Sequence, residues 1–257
     1  MKAIKETLEK ALREAGSMIR QAVKRPIHVE YKGPVSLVTE VDRNAERRII
    51  EIIRKRFPNH SILAEESEPE GNTAQKWLID PIDGTTNFAH RLPLACVSIA
   101  YEEDGIVKVG GVWNPLLNEL FWAERGKGAT LNGKKIRVSK AKTLKESLLV
   151  TGFPYDRRER APYYLKFMEA FMLKTQGIRR LGSAALDLCY LASGRFDGYW
   201  EFKLQPWDVA AGALIAHEAG ARLSDFRGKP MNIYGNQTLA TNGKIHDQML
   251  SVIGRHL

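Results

Sequence analysis

Cysteine is scarce in this chain: two in 257 residues, Cys96 and Cys189, each inside an apolar segment. That excludes a disulfide framework and any Cys-x-x-Cys metal pattern, and a reducing, cytoplasmic setting is expected. Long hydrophobic runs are missing as well. Stretches such as Leu92–Tyr101 fall far short of the ~20 residues a membrane span needs, so no membrane partner is expected. The opening segment, MKAIKETLEKALREAG, lacks the apolar core of a signal peptide and reads as an amphipathic helix. Internal repeats and low-complexity tracts are absent. Acidic residues are outnumbered, 30 Asp+Glu against 39 Lys+Arg, for a formal net charge of +9. That excess hints at phosphates or polyanions, although a solvated basic surface is the commoner explanation. With 44% apolar and 27% charged residues the chain has enough for a sizeable core, which rules out disorder.

The length suits one large domain or two small ones fused around a shared core. Ile4, Leu8, Ala11, Leu12, Ala15, Met18, Ile19 and Ala22 recur at helical spacing and predict a first helix closed by Pro26. A strand-like piece covers Val35–Val38, and a second helix runs over Asp42–Phe57. Its run of Arg43, Arg47, Arg48, Arg54, Lys55 and Arg56, with Glu46 and Glu51 interleaved, reads as a solvated face. Leu94–Glu102 and Ile106–Trp113 flank an Asp104–Gly105 hairpin turn. Glu119–Glu124 and Lys134–Val138 continue what reads as an antiparallel meander. Beyond residue 145 the pattern alternates: strands at Ser147–Thr151, Tyr199–Phe202 and Leu239–Thr241, and helices at Arg160–Lys174, Ser183–Ala192, Trp207–Ala219 and Lys244–His256. The expected halves are 1–143, α+β, and 144–257, α/β.

The sharpest local feature is Trp77–His90. An apolar strand ends in Asp80, and Asp83 follows after a stiff Pro81 turn. Gly84 allows close backbone approach and Thr85 opens a short helix. Two carboxylates at one strand end repel unless a cation lies between them, and hard oxygen ligands suit Mg²⁺. The N–H groups of Gly84 and Thr85 would face the same spot, where they could bind phosphate. An Asx-type capping turn is the commoner explanation of a bare Asp-x-x-Asp. Two further acidic pieces shift the balance: Glu65-Glu66-Ser67 after an apolar strand, and Asp208 at the start of a helix of small residues.

Together these motifs resemble the inositol monophosphatase family of Mg²⁺-dependent, lithium-sensitive phosphatases. Trp77–His90 is similar to its first signature and Trp207–Ala221 to its second. Glu65–Ser67 matches the neighbourhood of a metal ligand, and Arg179–Tyr190 resembles the bacterial branch. The resemblance implies a five-layer αβαβα sandwich of the sugar-phosphatase type, with N-terminal helices on an antiparallel sheet and a C-terminal α/β half. It implies a first Mg²⁺ held by Glu65, Asp80 and the Ile82 carbonyl, a second by Asp80, Asp83 and Asp208, and a weaker third at Glu65. Thr85, bonded to Asp42, would orient and deprotonate a metal-activated water, with Glu65 also in the catalytic set. Asp83, Gly84, Thr85, Gly182, Ser183, Ala184, Glu201 and Asp208 would contact substrate.

Hydrolysis of myo-inositol 1-phosphate is the expected reaction and a homodimer the expected assembly. Fructose 1,6-bisphosphatase or NADP phosphatase activity is the alternative within the class. A binding role with RNA or the transcription machinery is the alternative outside it. Ser36 departs from the family pattern and puts the third ion in doubt. Cys96 and Cys189 read as core, Glu66 and His90 as structural, Arg179–Arg180 as surface or interface, and His217–Glu218 as no zinc site.

Overall fold

The computed structural model describes residues 1–31, 37–71 and 73–257. Helix α1 (Lys2–Ala22) buries Ile4, Leu8, Ala11, Leu12, Ala15 and Ile19, one stripe of its surface. Two short antiparallel strands, β1 (Val29–Tyr31) and β2 (Leu37–Thr39), follow. The strand expected at 35–38 lies partly outside the described residues. Helix α2 (Glu40–Arg56) begins at a reciprocal cap: Thr39 Oγ1 accepts from the Val41 and Asp42 N–H groups, and the Asp42 carboxylate accepts from Thr39 N–H at 2.8 Å. The basic face of this helix pair is laced with ion pairs, Arg43–Glu30, Arg48–Glu14, Arg54–Glu70 and Arg56–Glu6 among them. Much of the excess positive charge there is locally answered.

A seven-stranded sheet runs in chain order: β3 (Ser61–Ala64), β4 (Gln75–Asp83), β5 (Cys96–Glu103), β6 (Ile106–Asn114), β7 (Glu119–Glu124), β8 (Ala129–Leu131) and β9 (Lys134–Lys135). The short helix α3 (Thr85–Ala89) joins β4 to β5. Asp104 and Gly105 take φ of 53° and 73°, and Asn132 and Gly133 take 49° and 77°, the paired positive values a two-residue hairpin turn requires. Three expectations need correction. Strand β3 pairs parallel to β4, so the first sheet, expected to be antiparallel, is mixed, while the meander from β5 onward is antiparallel as expected. Strand β4 continues through Asp83 rather than stopping at Asp80. The strand expected over Lys134–Val138 ends at Lys135, paired with β8.

The second sheet has the order β11-β10-β12-β14-β13, with β10 (Leu148–Thr151), β11 (Gly177–Arg179), β12 (Gly198–Phe202), β13 (Arg222–Ser224) and β14 (Gln237–Thr241). Its helices are α4 (Arg157–Met172), α5 (Ala184–Ala192), α6 (Pro206–Glu218) and α7 (His246–Gly254). Helix α4 starts earlier than expected, and its φ/ψ leave the helical region at Arg160, two residues before Pro162, whose missing N–H weakens the first turn.

Strand parity sets the layers. On β4 and β5, Trp77, Ile79, Val97, Ile99 and Tyr101 pack with α1 and α2, while Leu78, Cys96 and Ala100 pack with α5 and α6. Both faces are covered, which is why these strands read as continuous apolar runs. The far side of the α5–α6 layer meets the five-stranded sheet, whose other face carries α4 and α7. The result is an αβαβα sandwich. Among the described residues no helix is long and apolar enough to cross a membrane.

Candidate active site

Asp80 shares the parity of Leu78, so it faces the α5–α6 layer rather than α1. Three residues later, Asp83 would point to the opposite face of a regular strand. The pairing prevents this: Asp80 lies opposite Ser98 and Asp83 opposite Cys96, so β4 carries one extra residue in the interval. Such a bulge re-aims a side chain, and both carboxylates border one cavity. Within the bulge, Asp80 Oδ1 accepts from the Ile82 N–H at 3.0 Å, so the Asx-type turn weighed for this segment is also present.

Gly84 has φ of 94°, and a Cβ there would lie 2.7 Å from the Leu94 carbonyl oxygen, so only glycine fits the step into α3. Thr85 Oγ1 stands 3.0 Å from Asp42 Oδ1 and 2.9 Å from the Ile82 carbonyl oxygen. Its single proton serves one acceptor at a time. Asp42, fully buried, is thereby both a member of the capping box of α2, where Thr39 is the N-cap, and a partner of α3.

The facing wall comes from the second sheet and its helices. Asp83 Oδ2 accepts from Ser183 Oγ at 2.8 Å and from the Ala185 N–H at 2.6 Å, tying β4 to the start of α5. Ser183 is the N-cap of α5. Glu201 on β12 is buried and accepts from Tyr199 Oη at 2.7 Å. A Cβ on Gly152 would sit 2.0 Å from Glu201 Oε1, so the β10 exit leaves space that any other residue would close. Asp208 is not the N-cap of α6. Gln205 holds that place, and Asp208 sits in the first turn of α6, accepting from the Gln205 N–H at 2.7 Å. Glu65 follows β3, its N–H donating to the Ile79 carbonyl at 3.2 Å, which sets it beside β4.

The cavity, about 150 Å³, is bordered by Glu65, Asp80, Asp83, Thr85, Glu201 and Asp208, together with Gly182, Ser183 and Ala184. Arg157, Arg180 and Lys203 also border it. It therefore gathers the expected residues except Asp42, which reaches it through Thr85. Ser36 lies outside the described residues.

The residues set aside have structural partners. Glu66 N–H donates to Glu46 at 2.8 Å, and Glu218 accepts from the Gly126 and Gly128 N–H groups at 2.8 Å each. His90, exposed, ends α3. Both cysteines are buried in the core. Arg179 and Arg180 are exposed. Sequence reasoning missed Asp187. It lies one helical turn after Ser183, buried at the cavity edge, and its signal was an acid inside an otherwise apolar helix.

Burial pushes the Asp80 carboxyl well above the usual carboxylate range, and Glu65, Asp83 and Asp208 push it further. Burial also raises Asp83, to about 6, against the opposing hydrogen bonds from Ser183 and Ala185. Asp208 is raised well up by burial and by Asp83, against the Gln205 N–H. Burial lifts Glu201 to about 7, opposed by Tyr199. A divalent cation among these acids would reverse the sign of their interaction. Among the described residues no three acidic, histidine or cysteine side chains are gathered into a ready-made cage. Mg²⁺ does not need one, since it keeps waters and takes one or two carboxylates plus substrate oxygens. The hard-oxygen donor set at this cavity fits that ion.

The Synechocystis protein named "Inositol-1-monophosphatase" is 47% identical over 248 residues, covering 95% of this chain and 86% of that protein. The Nus factor SuhB of Escherichia coli is 44% identical over 246 residues, covering 94% and 92%. The solved structure of the extragenic suppressor protein suhB from Bartonella henselae superposes with a TM-score of 0.94 at 37% identity, covering 99% of this chain and 100% of that one. The model of the inositol monophosphatase family matches residues 1–256, and the chain belongs to that family.

Proposed function

We propose that this cavity hydrolyses the phosphate monoester of a small polyol, myo-inositol 1-phosphate first among them. The observation that carries this reading is the bulge in β4, which turns Asp80 and Asp83 into one cavity with Glu65 and Asp208. Membership in a phosphatase family supports it.

In this reading Glu65, Asp80, the Ile82 carbonyl, Asp83 and Asp208 would hold two Mg²⁺ ions, with Glu65 serving a weaker third. Bound there, Mg²⁺ supplies charge stabilisation for the phosphate oxygens and a more acidic water. Of the two acceptors near Thr85 Oγ1, the Ile82 carbonyl would be a ligand, which leaves Asp42 to take the Thr85 proton. Thr85 Oγ1 is left as an acceptor aimed at the attacking water, whose proton it passes toward Asp42 or Glu65. The Gly84 and Thr85 N–H groups orient the phosphate. Ser183, Gly182, the Ala184 backbone and Glu201 position the alcohol. No side-chain nucleophile is called for, so no phosphoenzyme forms. The ligands fall mostly in 1–143 and the alcohol contacts in 144–257, which we take as the two functional halves of a cytoplasmic, lithium-sensitive homodimer.

Phosphate release from inositol 1-phosphate, fructose 1,6-bisphosphate, NADP and glycerol 2-phosphate, each with Mg²⁺, with EDTA and with Li⁺, tests the reading. The expected result is Mg²⁺-dependent release fastest from inositol 1-phosphate and inhibited by Li⁺. Rates unchanged in EDTA would overturn it. A second role beside the enzyme is favoured by the 44% identity to a relative named as a Nus factor. Binding of RNA or transcription complexes that persists in Asp83→Asn would establish it as separate from catalysis.

A further inference from the structure

Asp187 has a feature that no other described residue shares. Its Oδ1 is the only buried side-chain oxygen or nitrogen among the described residues without a hydrogen-bond partner. The residue is 1% exposed and borders the cavity beside Glu201. An unpartnered carboxyl oxygen in such a place destabilises the fold. Its own helix cannot satisfy it: the Asp187 N–H donates to the Ser183 carbonyl at 3.0 Å, and the neighbouring side chains Leu186 and Leu188 are apolar. On the cavity side, Glu201 already receives Tyr199 Oη at 2.7 Å and presents a second acid at the same wall.

Burial, followed by the Glu201 charge, drives the Asp187 carboxyl well above the usual range, so it favours the protonated form, which can both donate and accept. Glu201 already acts as an acceptor, toward Tyr199 Oη. A hydroxyl also donates and accepts. Two adjacent acids, one with an unpartnered oxygen, therefore match a ligand carrying neighbouring hydroxyls better than one carrying none.

We infer that Asp187 is a specificity-determining residue, which with Glu201 forms a two-acid wall that receives hydroxyls of the polyol part of the substrate. The inference rests on the proposed phosphatase reading and deepens it. The four strand-end and helix-start acids handle the phosphate; Asp187 and Glu201 select the alcohol. A site that hydrogen-bonds a substrate hydroxyl discriminates strongly against an analogue lacking it, because its own polar groups are then left unpaired.

The test uses the Mg²⁺-loaded protein and two esters: myo-inositol 1-phosphate, and phenyl phosphate, whose alcohol carries no hydroxyl beyond the ester oxygen. Asp187→Leu is expected to lower the ratio of kcat/KM for inositol 1-phosphate over phenyl phosphate by about 10- to 100-fold, chiefly through KM. Asp187→Asn keeps shape and some hydrogen bonding and is expected to lower the same ratio by less. The melting temperature of Asp187→Leu is expected to match or exceed that of the wild type, because a buried unpaired acid has been removed. A merely structural Asp187 would depress both esters equally and lower the melting temperature, and that result overturns the inference. An unchanged ratio in both variants overturns it as well. Should Asp187→Leu fail to fold, the ratio in Asp187→Asn decides alone. Wild-type protein that releases phosphate from neither ester refutes the phosphatase reading itself, and the inference falls with it.

Discussion

The two walls of the cavity are built by different means. The first is the end of β4, where a one-residue bulge and the Gly84 step bring Asp80, Asp83 and Thr85 together within six residues of sequence. The second is assembled from three separate elements, with Ser183 and Asp187 on α5, Glu201 on β12 and Asp208 on α6. The first wall is local and rigid, and it carries groups that suit a phosphate and its metal ions. The second is nonlocal, and apart from Asp208 it carries groups that suit an alcohol. Chemistry common to all phosphate esters thus sits where the chain holds it most tightly. In the proposed reading, selection among alcohols sits where elements from the second half converge, joined to the first wall through the Ser183 and Ala185 bonds to Asp83.

If that division is right, damage to the first wall should be blind to the alcohol. Asp83→Asn is expected to lower kcat by about 10²-fold or more on inositol 1-phosphate and on phenyl phosphate alike, given the size of charge stabilisation at such sites. Steady-state phosphate release on both esters checks it, and a selective loss would merge the two walls. Gly152→Ala strikes the second wall through its backbone. A methyl 2.0 Å from Glu201 Oε1 must displace that carboxyl, and a stability loss of about 1–3 kcal/mol is expected in urea unfolding, as for other overpacked sites.

Glu201→Gln is gentler. It is expected to reduce the inositol-to-phenyl kcat/KM ratio by about tenfold, the scale of one hydrogen bond to a charged group. Because Glu201 titrates near 7, its acceptor form grows as pH rises. The KM for inositol 1-phosphate should therefore fall as pH climbs through about 7, and this inflection should vanish in Glu201→Gln.

The smallest expected effect is on stability. Asp80 has a folded pKa raised above its unfolded value, so its presence stabilises the fold only at low pH and that contribution is lost as pH rises through the folded value. In EDTA at pH 8, Asp80→Asn is expected to unfold at slightly higher urea, by about 1 kcal/mol or less, and in Mg²⁺ the order should reverse. Differential unfolding with and without metal checks the sign.

Much of the first wall was legible in the sequence, because its signals are local. Asp80-Pro81-Ile82-Asp83-Gly84 lies in one stretch, and the Asp104–Gly105 and Asn132–Gly133 turns fix their hairpins. The stripe of α1 was equally plain. Less was legible wherever pairing is long-range. The parallel β3–β4 contact, the short strands β11 and β13, and the layer order depend on partners far away in the chain. The family resemblance, rather than periodicity, carried the layer order. The bulge that re-aims Asp83 shows only in the register against β5. Asp187 escaped notice because an acid within Ala184–Ala192 reads as a surface position until α5 is seen packed between two sheets.

The central claim is that the β4 acids perform metal-assisted hydrolysis of a polyol phosphate. Its most direct measurement is phosphate release from myo-inositol 1-phosphate by wild type and Asp83→Asn, in Mg²⁺ and in EDTA. The account predicts rapid release by wild type in Mg²⁺ alone, with the other three combinations lower by about 10²-fold or more. Equal release by the two proteins, or by wild type in EDTA, would contradict it.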